Sequence, residues 1–489
     1  MPLLSLFSPA EVEALVCDAL LVLERVGVLV EHGEGRALLL EAGAREQGPR
    51  LLLPEALVRA ALATAPARFE VCDRDGAPAL AFGAGRTQFD PGSAALFLWE
   101  PATGRRREAT SADCVALARL VDDLSGYQAQ STALVPADVP REVADRHRLY
   151  LALRHAKKPV VTGTFAADGF APMQAMLEAV RGGALALRRH PLAIFDCCPS
   201  PPLCWSALTC DSLIRCARAG IPAQLISMPL TGATAPVTLR EVVVQHCAES
   251  LSGVALHQTA GPGAPLVFGG CPSAFDMRHG TTVTGSIETA LIDVAYAQVG
   301  RHLGLPTHTY LGQSDAKAPD YQAGMESGMG VLLAVLAGFD LVSGPGILDF
   351  ILTQSLEKLL LDHEACLRAQ RFAEGIARRE VDLIEIFGAL TAKGSLLGHP
   401  HTRAGWRREL GLASPVVDRG SYGDWDALGA PWAHQRAQRE VVRRLAAHED
   451  PPLAPEIAAA LDALMLAELR AAGVEDLPSG ATLRQDAPC

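Results

Sequence analysis

Ser314, Asp315, Lys317 and Asp320 fall in one short stretch, SDAKAPDYQAG (314–324), directly behind the apolar run LPTHTYLG. Carboxylates, a hydroxyl and an amine in such close order suit the mouth of an active site. The same residue types also serve a helix start. Ser and Asp side chains accept hydrogen bonds from the unpaired N–H groups of a first turn, and proline fits its first position. On this second reading Ser314 and Asp315 cap a helix that begins near Pro319. Both readings stand on the same residues.

Other groups capable of chemistry are scattered. Cys197, Cys198 and Cys271 could offer thiolates to zinc for activating a thiol, although free cysteines are more often small buried hydrophobes. His399 and His401 in GHPHT have no carboxylate or thiolate company in sequence and suit a helix cap or an interface. Asp276, Arg278 and His279 suit a solvated loop with a local ion pair. Trp99, Trp205 and Tyr310 are candidates for an aromatic cage around a quaternary ammonium, with core packing the default for each. The chain has no Ser–His–Asp signature, HExxH, GxGxxG or phosphate-binding loop.

The elements that must position these groups follow from the rhythm of the chain. YQAQSTALV, KPVVTGTF, LAIFDCC, AQLISMPL, APLVFGGC, LPTHTYLG, FDLVSG and LIEIFGAL read as strands, separated by amphipathic helices such as PMQAMLEAVRG and SIETALIDVAYAQVGRHLG. About eight strand–helix units over roughly 280 residues is the count and order of a (β/α)8 TIM barrel. Residues 111–400 are therefore expected to form the barrel. Residues 1–110 form an N-terminal helical and β-hairpin extension, and residues 401–489 a helical tail whose last dozen residues read as frayed. In the extension, Ser8, Pro9 and Glu11 form a capping-box start. TQFDPGSAALFLWEPATGRRREAT reads as two strands around Pro91-Gly92 followed by a turn at 101–104. A barrel draws its functional groups from the loops behind its strands. Those loops, at 162–165, 197–202, 228–234, 269–273, 310–320 and 343–346, are rich in small residues. Glycine there lets a large flat partner approach the backbone, and tight turns need it regardless.

The bulk numbers narrow the partners. A net charge of −12, from 43 basic and 55 acidic residues, disfavours nucleic acid, which needs clustered Lys and Arg. The twelve cysteines include no CxxC and read as reduced thiols of a cytoplasmic protein. The N-terminus carries no basic leader, and no apolar run is long enough to cross a membrane.

PLTGATAPVTL (229–239), GGCPSAFDMRHG (269–280), LGQSDAKAPDYQAGMES (311–327), GPGILDFILTQSLEKLLLDHEA (344–365), LLGHPHT (396–402) and PVVDRGSYGDWDALG (415–429) resemble, in order, the trimethylamine methyltransferase family. Its members move a methyl group from an amine to a corrinoid protein. The resemblance implies a barrel whose mouth holds the methyl donor and receives the corrinoid (cobalamin) of a cognate partner protein, or free corrinoid. It also implies a homo-oligomer. The family's archetype carries pyrrolysine in its active site, and every residue here is a standard one. The chain is similar in this to the branch that demethylates glycine betaine. A betaine already carries a quaternary nitrogen and leaves as a neutral tertiary amine, so it needs no covalent activation.

On this reading Asp90, Tyr310, Ser314, Asp315, Lys317 and Gly346 contact the quaternary amine. Thr231, Gly232, Gly269, Gly270 and Ser273 face the corrinoid. The work is positioning of the donor, with no acid–base residue and no tightly bound metal. Two alternatives remain open at this point: a zinc-dependent barrel methyltransferase with a thiol acceptor, and a betaine-binding relative without catalysis.

Overall fold

The structure, a computed structural model, describes residues 3–92 and 94–478; the expected fraying of the last dozen residues falls almost wholly outside them. Among the described residues, eight short parallel strands carry the interior. They are β1 (Gln88–Phe89), β2 (Gln130–Ser131), β3 (Val160–Thr162), β4 (Ala193–Cys197), β5 (Ala223–Ser227), β6 (Leu266–Gly270), β7 (His308–Thr309) and β8 (Leu341–Val342). Strands β2 to β6 pair in sequence order as one parallel sheet. A second parallel sheet has the order β7–β8–β1. A parallel bridge from Phe268 to Thr307 links β6 to β7. At the opposite margin the Gln128 amide donates to the Phe89 carbonyl at 3.0 Å, and a further parallel bridge joins Ala95 to Leu134.

A helix follows each strand. Their ends are written in local chemistry: Ser206, Ser286 and Ser355 each accept from the backbone amide three residues on, and Gly220 and Gly338 close their helices in the left-handed region. The helix Leu239–Ala260, behind β5, is buried on nearly every side. The N-terminal helices Pro9–Arg25 and Glu55–Thr64 pack onto it. The capping box expected at Ser8 and Glu11 is present.

Two expectations about the chain's rhythm need correction. LIEIFGAL is not a strand. It belongs to the helix Leu383–Lys393, capped by Asp382 and closed by Gly394. Its apolar residues at 383, 384, 387 and 390 recur at helical intervals, which a short apolar run can hide. The eighth parallel strand comes from the N-terminal extension, as Gln88–Phe89. The second correction concerns Trp205: it pairs with Val30 in the N-terminal sheet and its Nε1 donates to Ser252 Oγ at 2.9 Å, so it is a core residue rather than part of a cage.

Two further pieces of the extension frame the strand interior. The hairpin Phe69–Cys72 with Pro78–Phe82 sets Val71, Leu80 and Phe82 against Ala129, Val161, Ile194, Val267 and Leu341, making one end apolar. Near the other end the strands Phe97–Glu100 and Arg105–Glu108, joined by the expected turn, receive a second hairpin, Ile347–Leu348 with Thr353–Gln354.

Candidate active site

Side chains alternate direction along a strand, and β4 shows what that does here. Phe195 turns outward to meet Phe170, ring centroids 5.0 Å apart, and the Cys197 thiol faces Cys216. Ile194 and Asp196 turn the other way, into the interior. Asp196 Oδ1 accepts from Gln224 Nε2 at 2.8 Å, and Oδ2 accepts from the Tyr310 hydroxyl at 3.2 Å. Burial raises the Asp196 carboxyl to about 7, against the pull of those two hydrogen bonds and of the Arg148 guanidinium.

Around this pair the strand ends contribute an apolar wall: Ile226, Cys271 and Tyr310, with Cys198, Met228 and Ile351 packed against them. Asp196, Cys198 and Met228 retain partial exposure where their chain neighbours are buried, and Ile351 is half-buried at the rim. Arg148, from the helix Ala144–His155, stacks its guanidinium 4.1 Å from the Phe165 ring centroid and donates to Thr132 O at 2.8 Å. Its pKa falls to about 10 through burial, which leaves it charged at neutral pH.

A second acid lies at the end of β1. Asp90 Oδ1 accepts from the Gly92 amide at 2.7 Å and Oδ2 from Ser343 Oγ at 2.5 Å, while His308 Nε2 lies 2.8 Å from the same hydroxyl. Burial raises Asp90 to about 7 and lowers His308 to about 3, so His308 is neutral. With Asp90 ionised, the Ser343 proton goes to the carboxylate and His308 donates through Nε2–H. A carboxylate beside an aromatic ring in apolar walls suits a cation that carries methyl groups.

The residues expected from sequence divide. Asp90 and Tyr310 lie in this cluster. Ser314 and Asp315 do not cap the helix behind them; Asp320 does, accepting from Ala323 N. Ser314 Oγ donates instead to Glu326 at 2.6 Å. The Asp315 carboxylate accepts from Thr284 N, Thr284 Oγ1 and Gly285 N at 3.1, 2.5 and 2.9 Å, tying its loop to the start of the next helix back in the chain. Lys317 is exposed, with Nζ 3.5 Å from Asp349 Oδ1 and 3.6 Å from the Phe350 ring centroid. Gly346 is at φ 84, and a Cβ there would meet Gln354 Oε1 at 2.3 Å. Gly269 and Gly270 sit within the sheet: a Cβ on Gly270 would lie 2.3 Å from His246 Nε2. Thr231 and Ser273 are buried, Thr231 Oγ1 accepting from Phe275 N, whereas Gly232 is exposed.

The other candidates separate too. Cys197 points away from Cys198 and Cys271; its hydrogen bond with Cys216, with burial, holds its thiol well up, while burial raises Cys198 and pushes Cys271 to about 12. His399 caps the helix Pro400–Glu409, its Nδ1 accepting from His401 N. Asp276 pairs with Arg278 at 2.7 Å on the surface. Among the described residues, no group of three or more His, Cys, Asp or Glu is placed to hold a metal ion, and no helix is long and apolar enough to cross a membrane.

The family model described as trimethylamine methyltransferase (MTTB) matches residues 1–472. The chain belongs to the trimethylamine methyltransferase family. Trimethylamine methyltransferase MttB of Desulfitobacterium hafniense (strain DSM 10664 / DCB-2) is 30% identical over 462 residues, covering 94% of this chain and 93% of that protein. Glycine betaine methyltransferase of Desulfitobacterium hafniense (strain Y51) is 28% identical over 481 residues, covering 97% and 99%. In structure, the Methanosarcina barkeri monomethylamine methyltransferase (MtmB) aligns with a TM-score of 0.52 over 90% of this chain and 88% of its own, at 11% identity. That likeness speaks to the fold alone.

For this member of the trimethylamine methyltransferase family, sequence reasoning missed Asp196, Arg148, Gln224, His308 and Ser343. Asp196 had a signal: it is the one charged residue in LAIFDCC and shares the inward parity of Ile194. Arg148 had none, since DRHRLYLALRHA is studded with charge and its helix is buried through most of its length.

Proposed function

We propose that this chain moves a methyl group from a quaternary amine, glycine betaine or a related betaine, to the cob(I)alamin of a separate corrinoid protein, without pyrrolysine. The observation that carries this reading is the Asp196–Tyr310 pair in its apolar wall, in a chain built only of standard residues. The donor's C–N bond breaks, its electron pair stays on nitrogen, and the methyl group passes to the acceptor. A quaternary donor departs as a neutral tertiary amine. Trimethylamine would have to leave as an amide-like anion, which these residues do nothing to stabilise.

The work left to the protein is orientation and exclusion of water. Asp196 offsets the ammonium charge, the Tyr310 ring packs on its methyl groups, and Asp90 with Ser343 and His308 fixes the neighbouring strand ends. Ser314 and Asp315 act by holding the loop that follows β7. The fold that does this is a (β/α)8 barrel: the β6–β7 bridge and the Gln128–Phe89 hydrogen bond support closure of the eight strands into a ring.

A corrinoid presents a broad flat face, and the rim suits one. Leu96, Phe165, Val237, Met277 and Leu352 are exposed large apolar side chains behind five different strands, and Gly232 leaves room beside Met277. Self-association has its own support. Helices Leu383–Lys393 and Pro400–Glu409 have no buried residue, and their segment (375–412) holds six basic against four acidic residues in a chain of net charge −12. A second copy complements it in charge; Ile384→Glu with Phe387→Glu should lower the mass measured by light scattering.

The test is spectroscopic. Purified protein is mixed with chemically reduced cob(I)alamin and one donor at a time, and loss of the cobalt(I) absorbance is followed. Methylation by a betaine and not by trimethylamine supports the reading. Turnover of trimethylamine with every betaine inert overturns it.

A further inference from the structure

The hairpin that follows β8 has an unusual tip. Asp349, Phe350 and Ile351 are three consecutive residues with φ of 56, 56 and 74, a left-handed run that side-chain-bearing residues rarely enter even singly. None is a glycine, so the surroundings must hold the conformation. The holding contacts converge on Asp349. Its carboxylate pairs with Arg106, from the strand Arg105–Glu108, and with Lys317 at 3.5 Å, from the loop behind β7. Its amide donates to Ala316 O at 2.9 Å. Lys317 also stacks on the next residue, its Nζ 3.6 Å from the Phe350 ring centroid.

The product of this construction is the placement of one side chain. Ile351 is packed against the cluster of Ile226, Cys271 and Tyr310, on the wall that faces Asp196. Ile351 is half-buried, like Phe350, and Leu352 is exposed. Of the two half-buried residues it is Ile351 that packs on the cluster, which the left-handed turn makes possible. A short hairpin with an ordinary tip would present that residue differently.

We propose that Ile351 is the access- and specificity-determining residue of the Asp196–Tyr310 site, held over it by Asp349, which Arg106 and Lys317 latch from two separate segments. A ligand seated against the Ile226–Cys271–Tyr310 face meets Ile351, so its volume sets how large a donor the site admits. Release of Asp349 frees the tip to relax from its left-handed run and uncovers the pocket. The identity of the donor as a quaternary amine rests on the function proposed above; the occlusion by Ile351 does not.

The two claims are separated by reading access without turnover. Cys198 and Cys271 lie in the cluster beneath Ile351, and Cys247 is buried elsewhere, on the helix behind β5. Modification of each thiol by N-ethylmaleimide can be followed by peptide mass spectrometry. Asp349→Asn is the cleanest variant, because asparagine enters the left-handed region readily and keeps the side-chain volume. Arg106→Gln loosens the same latch from its other partner. Both should raise modification of Cys198 and Cys271 at least tenfold with Cys247 unchanged. Unchanged rates at Cys198 and Cys271, or rates that rise in step with Cys247, overturn the latch. Ile351→Ala should then lower the KM for a bulkier betaine relative to glycine betaine by at least fivefold; an unaltered ratio overturns its role in specificity. Labelling that responds while no betaine is turned over would keep the lid and sink the methyl-transfer reading.

Discussion

Asp196, near the end of β4, and Asp315, in the loop behind β7, are both carboxylates pushed upward by burial, and their partners differ in kind. Asp315 accepts three hydrogen bonds, two of them from backbone amides, so its oxygens are committed to holding a loop against the next helix. Among the described residues, Asp196 accepts from side chains alone, Gln224 and Tyr310, and keeps part of its surface open beside an apolar wall. Backbone amides cannot turn away to make room for a ligand; a glutamine and a tyrosine hydroxyl can. Among buried acids at strand ends, the kind of partner separates a carboxylate that organises the chain from one that can receive a ligand.

The largest expected effect comes from exchanging the charge at each position. Asp196→Asn should cut kcat/KM for the betaine by roughly 100-fold, about 2.7 kcal/mol of lost donor binding, with little change in urea stability. Asp315→Asn should cost about 1–3 kcal/mol of stability by disturbing buried hydrogen bonds, and leave kcat/KM of the folded protein within about twofold. Steady-state kinetics and urea unfolding on both variants decide the matter. Equal kinetic damage at the two positions would erase the distinction.

Acidity should come next in size. A cationic donor needs Asp196 ionised, and its carboxyl is raised to about 7. Affinity should therefore fall as pH drops below 7, by roughly tenfold per pH unit, and flatten above it. The stability effect runs the other way. Asp196 binds its proton more tightly folded than unfolded, so its contribution is greatest below the unfolded carboxyl range and is lost as pH rises toward 7. Measuring KM from pH 6 to 8.5 tests the first statement. A pH dependence that survives in Asp196→Asn would assign it to Asp90, whose carboxyl is raised to the same value.

Much of this was legible in residues, and the failures have physical causes. The alternation of apolar runs and helices located seven of the eight parallel strands, because a buried parallel strand is a short unbroken apolar run. The strand before Pro91 was legible too, but its place beside β8 was not, because Gln88–Phe89 reads as half of a hairpin in the extension. LIEIFGAL misled because eight residues fit either period. SDAKAPDYQAG drew attention by composition, yet its acids are mostly helix and loop chemistry. Composition cannot tell which acid finds backbone amides once the chain is folded. Tyr310 and Asp90, named from sequence, stand in the same structural cluster. Asp196 is hidden in a strand that reads as core; Ile351 could not be anticipated, since the role proposed for it depends on a left-handed turn that sequence does not announce.

Smaller paired changes sharpen the contrast. Tyr310→Phe removes one hydrogen bond to Asp196 and keeps the ring, so KM should rise roughly three- to tenfold with kcat little altered. Thr284→Val removes the matching hydroxyl bond to Asp315 and should lower stability by about 1 kcal/mol with KM unchanged. If Thr284→Val also moved KM, the Asp315 loop would reach the donor after all.

The smallest effect is expected at Lys317, and it is the most discriminating for the betaine's far end. Its side chain is 59% exposed and pairs with Asp349 at 3.5 Å, the sort of surface pair that contributes about 0–1 kcal/mol. Lys317→Met keeps much of the packing on Phe350 and removes the charge together with the hydrogen bond that Nζ donates to the Asp315 carbonyl. If Lys317 serves the latch alone, KM for glycine betaine should change by less than about fivefold, and equally for tetramethylammonium, which has no carboxylate. If Lys317 instead meets the donor's carboxylate, KM should rise for the betaine and stay put for tetramethylammonium. The ratio of the two KM values therefore reports where the lysine's charge acts, whatever the absolute rates.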